Sequence, residues 1–231
     1  KSCAQVFYGI TSHVMNVYGM RSKAEVPGIY KDFIRSEGIP SVLHRDGAGE
    51  QTSDKMAAIN RDFIVRDSFP EPNSPWQNPV EARAIRWLKD TSRVLMDRQG
   101  APDIVWLQAM EYMADIRNNT ADETLGWITP TEKGKGNTPD ILAFLHFKFY
   151  EHVYYMDSNS ILPATKEKTG YWIGVSKNIG DALTYKILMD DKKPKKGSKQ
   201  ISGFTLITTW TLKCDSIQKP TTWISRLTVC P

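Results

Sequence analysis

The chain has 231 residues, a formal net charge of +4 and 40% apolar residues. That length fits one medium domain with a smaller one beside it, and the apolar share is enough for a real core. No window approaches the roughly 18 uninterrupted apolar residues of a membrane span, and no signal-peptide pattern opens the chain. So small a basic excess points only weakly to a polyanion partner. Cys3, Cys214 and Cys230 are odd in number and far apart, which gives neither a disulfide framework nor a Cys-x-x-Cys metal site. A reducing intracellular setting, nuclear or cytoplasmic, is the plain expectation. His13, His44, His146 and His152 show no paired zinc spacing with those cysteines and read as strand or surface residues. The chain opens at Lys1 and runs at once into a strand-like stretch, as a piece of something longer would.

In chain order, "CAQVFYG" and "HVMNVYGM" are short, β-branched and aromatic, and they predict a strand hairpin. "KAEVPGIYKDFIRSEG" places Val26, Ile29, Tyr30, Phe33 and Ile34 at helical spacing and stops at Gly38. "IPSVLHRD" predicts a short strand ending at Asp46, and "SDKMAAINRDFIVRD" a helix capped by Ser53. A turn-rich link, "FPEPNSPWQ", leads to a long helix from near Pro79 to near Gly100. "APDIVWLQAMEYMADIRNN" predicts another, with Pro102 suited to its first turn. "TPTEKGKGNTPD" reads as a linker. The runs "EHVYYMD", "TGYWIGVS" and "ALTYKILMDD" predict strands of a small β module. The final stretch, rich in Thr, Ile and Trp, shows no clear pattern, and no internal repeat is evident.

Two acids stand out, each with an ordinary reading. Asp46, in "LHRDGAGEQT", precedes a Gly, a common turn pairing because Asp can bond its own backbone. It also closes a strand, where open α/β sheets place their chemistry. Glu81, in "NPVE", lies at the third position of a helix capped by Asn78 with Pro79 first, a capping-box arrangement. Glu81, Ile85, Leu88 and Leu95 share one helical face, so the carboxylate opens the inward stripe, where an unpaired charge is costly. Two such acids can share a divalent ion, and their hard oxygens suit Mg²⁺.

"HRDGAGEQ", followed by "EPNSPWQNPVEARAIRWLK", resembles the integrase core of copia-type retrotransposon polyproteins. In that family a strand-end Asp precedes a Glu in an N-x-x-E helix start by about 35 residues, close to the step from Asp46 to Glu81. The resemblance continues through "RQGAPDIVWLQAMEYMADIRNNTA" and "YYMDSNSILPATKEKTGYWIGVSKNIGDALTYKILMDD", covering roughly residues 3–191. It implies an α/β fold, an RNase H-like core with a mixed sheet and flanking helices, followed by the small β module. The corresponding partition is 1–122 core, 123–140 linker, 141–197 β module and 198–231 unassigned. It also implies a polynucleotidyl transferase that works on DNA as a homo-oligomer, with three acids holding two Mg²⁺ or Mn²⁺ ions. Asp46 and Glu81 would be the second and third acids, catalytic and metal-binding. The family's first acid lies on a strand before the opening hairpin. Glu25, Asp32 and Glu37, the acids between Lys1 and His44, sit on or beside the first helix and do not replace it. The missing strand would lie at the sheet's centre, beside the strand of Asp46, so this piece is not expected to be active alone.

Lys55, Arg83, Arg86, Lys89 and Arg93 are candidate DNA-phosphate contacts, the last three at helical spacing away from the apolar stripe, although a solvated helix face has the same look. Trp76 and Gln77, in the loop before Glu81, could touch a DNA end or serve packing and turn formation. The basic run "KKPKKGSK" at 192–199 suits a solvated tail, a nucleic-acid contact or an import signal. A non-catalytic DNA-binding remnant, a decayed reading frame and a related nuclease of the same fold remain as alternatives.

Overall fold

The structure is a computed structural model that describes residues 3–45, 53–69, 84–156, 166–177 and 184–189, and the backbone of 205–208 and 213–214. The chain packs as two units, Lys1–Lys89 and Asp90–Pro231. Both mix helices with small sheets, as the α/β expectation requires. Among the described residues no helix is long and apolar enough to cross a membrane.

The first unit begins with the predicted hairpin. β1 (Cys3–Tyr8) pairs antiparallel with β2 (Met15–Met20), Cys3 opposite Met20 and Tyr8 opposite Met15. The connecting turn is closed by the Gly9 N–H donating to the Val14 carbonyl at 2.8 Å, with His13 in a left-handed conformation. α1 (Val26–Glu37) follows and ends at Gly38, whose φ of 96° suits a residue without a side chain. Its buried residues are Val26, Ile29, Tyr30 and Ile34, the spacing of one helical face. β3 (Val42–His44) comes next, then α2 (Asp54–Asp62), with Ser53 at the cap position but making no side-chain cap bond. The continuation of "NRDFIVRD", read as part of the helical stretch, instead forms a strand, β4 (Arg66–Ser68), parallel to β3.

One apolar core serves both strand pairs. Met20, Val26, Ile29, Tyr30, Ile34, Met56 and Ile59 form it, and Cys3 and Phe7 of β1 and Leu43 of β3 pack against it. Phe7 stacks on Phe33 with ring centroids 4.3 Å apart, a contact that adds to plain area burial. Two separate two-stranded sheets, β1–β2 and β3–β4, therefore contribute to one core with α1 and α2, with no described strand joining them.

α3 (Arg86–Gln99) is the long helix, preceded by a π turn at 84–85. Its buried positions are Ala84, Leu88, Ser92 and Met96. Ile85 and Leu95, expected on the inward stripe, are half-buried at its flank. Leu95 nevertheless packs against the core that contains Met96. Pro102 does not enter the first turn of the next helix. It precedes a single 3-10 turn at Asp103–Val105, from which α4 (Trp106–Asn118) continues.

Residues 123–140, read as a linker, carry local structure. Asp122 and Ile128 bridge, and α5 (Pro130–Lys135) starts from Thr129, whose hydroxyl accepts the Glu132 N–H at 3.1 Å. α6 (Leu142–Leu145) and the strands β5 (His152–Met156), β6 (Glu167–Val175) and β7 (Thr184–Met189) follow. The stretch without a pattern supplies two more, β8 (Thr205–Thr208) and β9 (Lys213–Cys214). The sheet order is β8-β7-β6-β5-β9, all antiparallel.

β8 and β9 are the sheet's opposite edges. A register irregularity between Trp172 and Gly174, with Gly174 at φ 144°, supplies a bend in β6. One core contains Val153, Tyr155, Trp172, Tyr185 and Ile187, with Ala143 and Phe144 of α6 against it. A second core, with Ile173 and Leu188, packs against Val105 and Ala109 and against Met96 of α3. α4 is also tied to the sheet by charge: Lys177 pairs with Asp115, which burial pushes toward the neutral form, and Lys186 pairs with Glu111 at 3.4 Å.

At Gly170, β6 has no room for a side chain against β7. A Cβ there would lie 2.6 Å from Ile187 Cγ2 and 2.7 Å from the Leu188 carbonyl oxygen, and backbone cannot yield as a side chain can. Gly170→Ala is expected to destabilise the second unit by about 1–3 kcal/mol, the usual cost of overpacking, which a urea melt would measure. An unchanged midpoint would show that the strands separate freely.

Candidate functional site: the exit of β3

The two acids singled out in the sequence, Asp46 and Glu81, lie outside the described residues, as do Trp76, Gln77 and Arg83, the Asn78–Pro79 cap and the basic run 192–199. Lys55 is exposed on α2, and Arg86, Lys89 and Arg93 are exposed on α3, opposite its buried positions. Asp90 and Asp97 are exposed on the same helix, so the basic stripe is interleaved with acid. Among the described residues no group of three or more His, Cys, Asp or Glu could hold a metal ion.

The structure does define the ground from which Asp46 departs. By strand alternation Leu43 and Arg45 share a face, and Leu43 packs on the core. Arg45 follows it inward and is only 5% exposed. A buried guanidinium needs an anion, because desolvating a lone charge costs several kcal/mol. Asp67, on β4, meets it through the Arg45 Nη2 and Asp67 Oδ1 atoms. The same Oδ1 accepts from Asn60 Nδ2 on α2 at 2.6 Å. The guanidinium also lies 4.9 Å from the centre of the Phe69 ring, a cation–π contact. The backbone is held as well: the Arg45 N–H donates to the Ser68 carbonyl at 2.9 Å, one bond beyond the end of β3.

On the opposite face His44 Nδ1 lies 3.1 Å from the Ser68 hydroxyl. Its Nε2 is buried without a hydrogen-bond partner, so no ligand reaches it in this arrangement. Tyr30, fully buried on α1, completes the cluster. Burial first, and the Asp67 carboxylate second, push its hydroxyl up to about 12, with Arg45 opposing.

The donor chemistry of the two acids suits a divalent ion, since carboxylates are the hard oxygen ligands that Mg²⁺ and Mn²⁺ take. Arg45, the cation adjacent to Asp46 in sequence, is already neutralised by Asp67 and is turned into the core. Sequence reasoning missed Arg45, Asp67 and Asn60. The available signal was parity, since a strand that buries Leu43 must bury residue 45 and so demands an acid partner.

No family model matches the chain, and no curated protein matches it. Among solved structures, a match is the cryoEM structure of a simian T-cell lymphotropic virus intasome in complex with the PP2A regulatory subunit B56 gamma. The TM-score is 0.45 at 13% identity, over 93% of this chain and 75% of that one. A likeness at that level carries no argument about this chain's fold or activity.

Tyr30 gives the cluster a spectroscopic handle. A tyrosine free in the unfolded chain ionises near 10, and Tyr30 near 12. The stability this shift contributes is full below about pH 10 and is lost as the pH rises through about 12. In an ultraviolet titration Tyr30 should ionise last or nearly so, since Tyr185 is also pushed to about 12. Asp67→Asn should bring Tyr30 to lower pH, whereas a titration unaffected by Asp67 would place the carboxylate away from it.

Proposed function

We propose that residues 1–122 form an RNase H-like integrase core of the copia type. Its parent activity would be metal-dependent DNA strand transfer, and the partition at 122, 140 and 197 follows that family's organisation. The observation that carries the reading is the divided sheet. β1–β2 and β3–β4 lie on one helical core with no described strand between them, as a sheet lacking its central strand would.

In this reading Asp46 and Glu81 hold divalent ions, which when bound activate the attacking water or DNA 3′-hydroxyl and stabilise the leaving oxygen. The attacking oxygen bonds to phosphorus, the bond to the leaving oxygen breaks, and no covalent enzyme intermediate forms. Lys55, Arg86, Lys89 and Arg93, with Arg83 beside them in sequence, engage phosphates, while Trp76 and Gln77 meet the DNA end. The assembly on DNA is a homo-oligomer, and the setting is nuclear or cytoplasmic.

The test is strand joining by the chain carrying an added N-terminal strand with an Asp. DNA ends should be joined in Mg²⁺ or Mn²⁺, and Asp46→Asn or Glu81→Gln should each reduce joining to background. Joining that survives both substitutions, or none with the strand restored, would sink the enzymatic reading.

A non-catalytic DNA-binding remnant is favoured by a separate observation, the exposure of Arg86, Lys89 and Arg93 on α3. It predicts salt-sensitive duplex binding by the 231-residue chain without metal. Each of the three changed to Ala should lower the salt slope by about 1. Slopes that do not move would make these residues an ordinary solvated face.

A further inference from the structure

α6 (Leu142–Leu145) is apolar on every side. Ala143 is buried, and Phe144 packs against the core beneath it. The other side lies outside that core: Ile141, Leu142 and Leu145 are 41%, 57% and 67% exposed. Ile141, at the cap position, keeps a helical conformation. At the helical turn of about 100° per residue, Leu145 falls between Ile141 and Leu142 and the three share an arc of about 100°. They form one continuous patch. A helix that is apolar all round is ordinarily buried all round, and apolar residues grouped at a surface mark a contact site.

The charges beside the patch select its occupant. Asp140 is exposed at the N-terminal end of α6, where its Oδ1 accepts the Leu142 N–H at 2.9 Å. His146 and Lys148 are exposed at the C-terminal end, and Glu151 beyond them accepts the Lys148 N–H at 2.7 Å. Two such helices laid parallel would oppose like charges at each end. Laid antiparallel, they bring unlike charges together at both ends. That is the arrangement a two-fold axis produces, because an isologous contact repeats every residue pair. We infer that the outer face of α6 is a self-association surface that meets the same face of a second copy of this chain. Leu142 of each copy lies against Leu145 of the other, and Asp140 of each opposes Lys148 of the other. A nucleic acid would gain nothing from three aliphatic side chains, and one helical turn offers little of the apolar area that holds a helix on a membrane surface. One turn also falls short of the roughly 800 Å² per partner of a standard interface, so the association is weak.

Sedimentation equilibrium of the 231-residue chain without DNA tests this apart from the strand-transfer reading. A monomer–dimer equilibrium is expected, with half-association below about 1 mM. Leu142→Glu and Leu145→Glu should each weaken it by about tenfold or more, as anchor residues do. Their thermal melts should not move, because both side chains are exposed. Lys148→Glu sets like charges opposite each other and should weaken association by a smaller factor. Adding Asp140→Lys to it should restore part of the loss, a recovery that a bare apolar patch would not show. A monomer at every concentration would overturn the proposal, whatever else then covers the face. A dimer indifferent to both leucine substitutions would do the same, since it would form through another surface. Charge reversal without recovery would overturn the antiparallel pairing on which the choice of a second copy rests.

Discussion

The pairing of Arg45 with Asp67 decides how the middle of the first unit is put together. β3 and β4 are three residues each, too short to hold by ladder bonds alone. Parallel pairing is also the less stable kind per residue. The buried guanidinium supplies what the ladder lacks, because it cannot stay inside without Asp67 opposite, and Asp67 in turn is braced by Asn60 of α2. Two strands and a helix are thereby held in one register. Tyr30 brings α1 to the same point, its hydroxyl kept neutral by burial and by the nearby carboxylate. Loss of Asp67 would leave the buried guanidinium without its anion, whereas the carboxylate, which is partly open to solvent, depends less on Arg45.

The second unit depends first on close approach. Gly170 lets β6 and β7 lie against each other, and the irregularity before Gly174 bends β6. The apolar interior contains Trp172, Tyr155 and Tyr185. α4 covers the other core and is tied to the sheet by its acids at 111 and 115, so charge here fastens a helix instead of organising the strands.

Legibility in the sequence follows from the range of the forces involved. The hairpin, α1, and β5 to β7 were readable because each is a single run with its own signal, β-branched and aromatic residues in the strands and a 3.6-residue apolar stripe in α1. β4 was not. "RDS" has no apolar residue, and it is a strand only because β3 lies beside it and Asp67 faces Arg45. β8 and β9 are likewise created by pairing with β7 and β5, from a Thr-rich stretch whose own pattern is silent. The site divides in the same way. Asp46 and Glu81 are singled out by motif spacing and lie outside the described residues, whereas Asp67 and Asn60 are separated from Arg45 by 22 and 15 positions and are joined to it only in space.

The two strand pairs of the first unit are fixed to their shared core by different means, β3–β4 by the Arg45 cluster and β1–β2 by Phe7 stacked on Phe33. The first is selective in partner and geometry, since a buried guanidinium accepts only an anion opposite, whereas the second rests on apolar area and ring contact. A two-stranded ladder is marginal by itself, so each pair keeps its place on the core through these side chains.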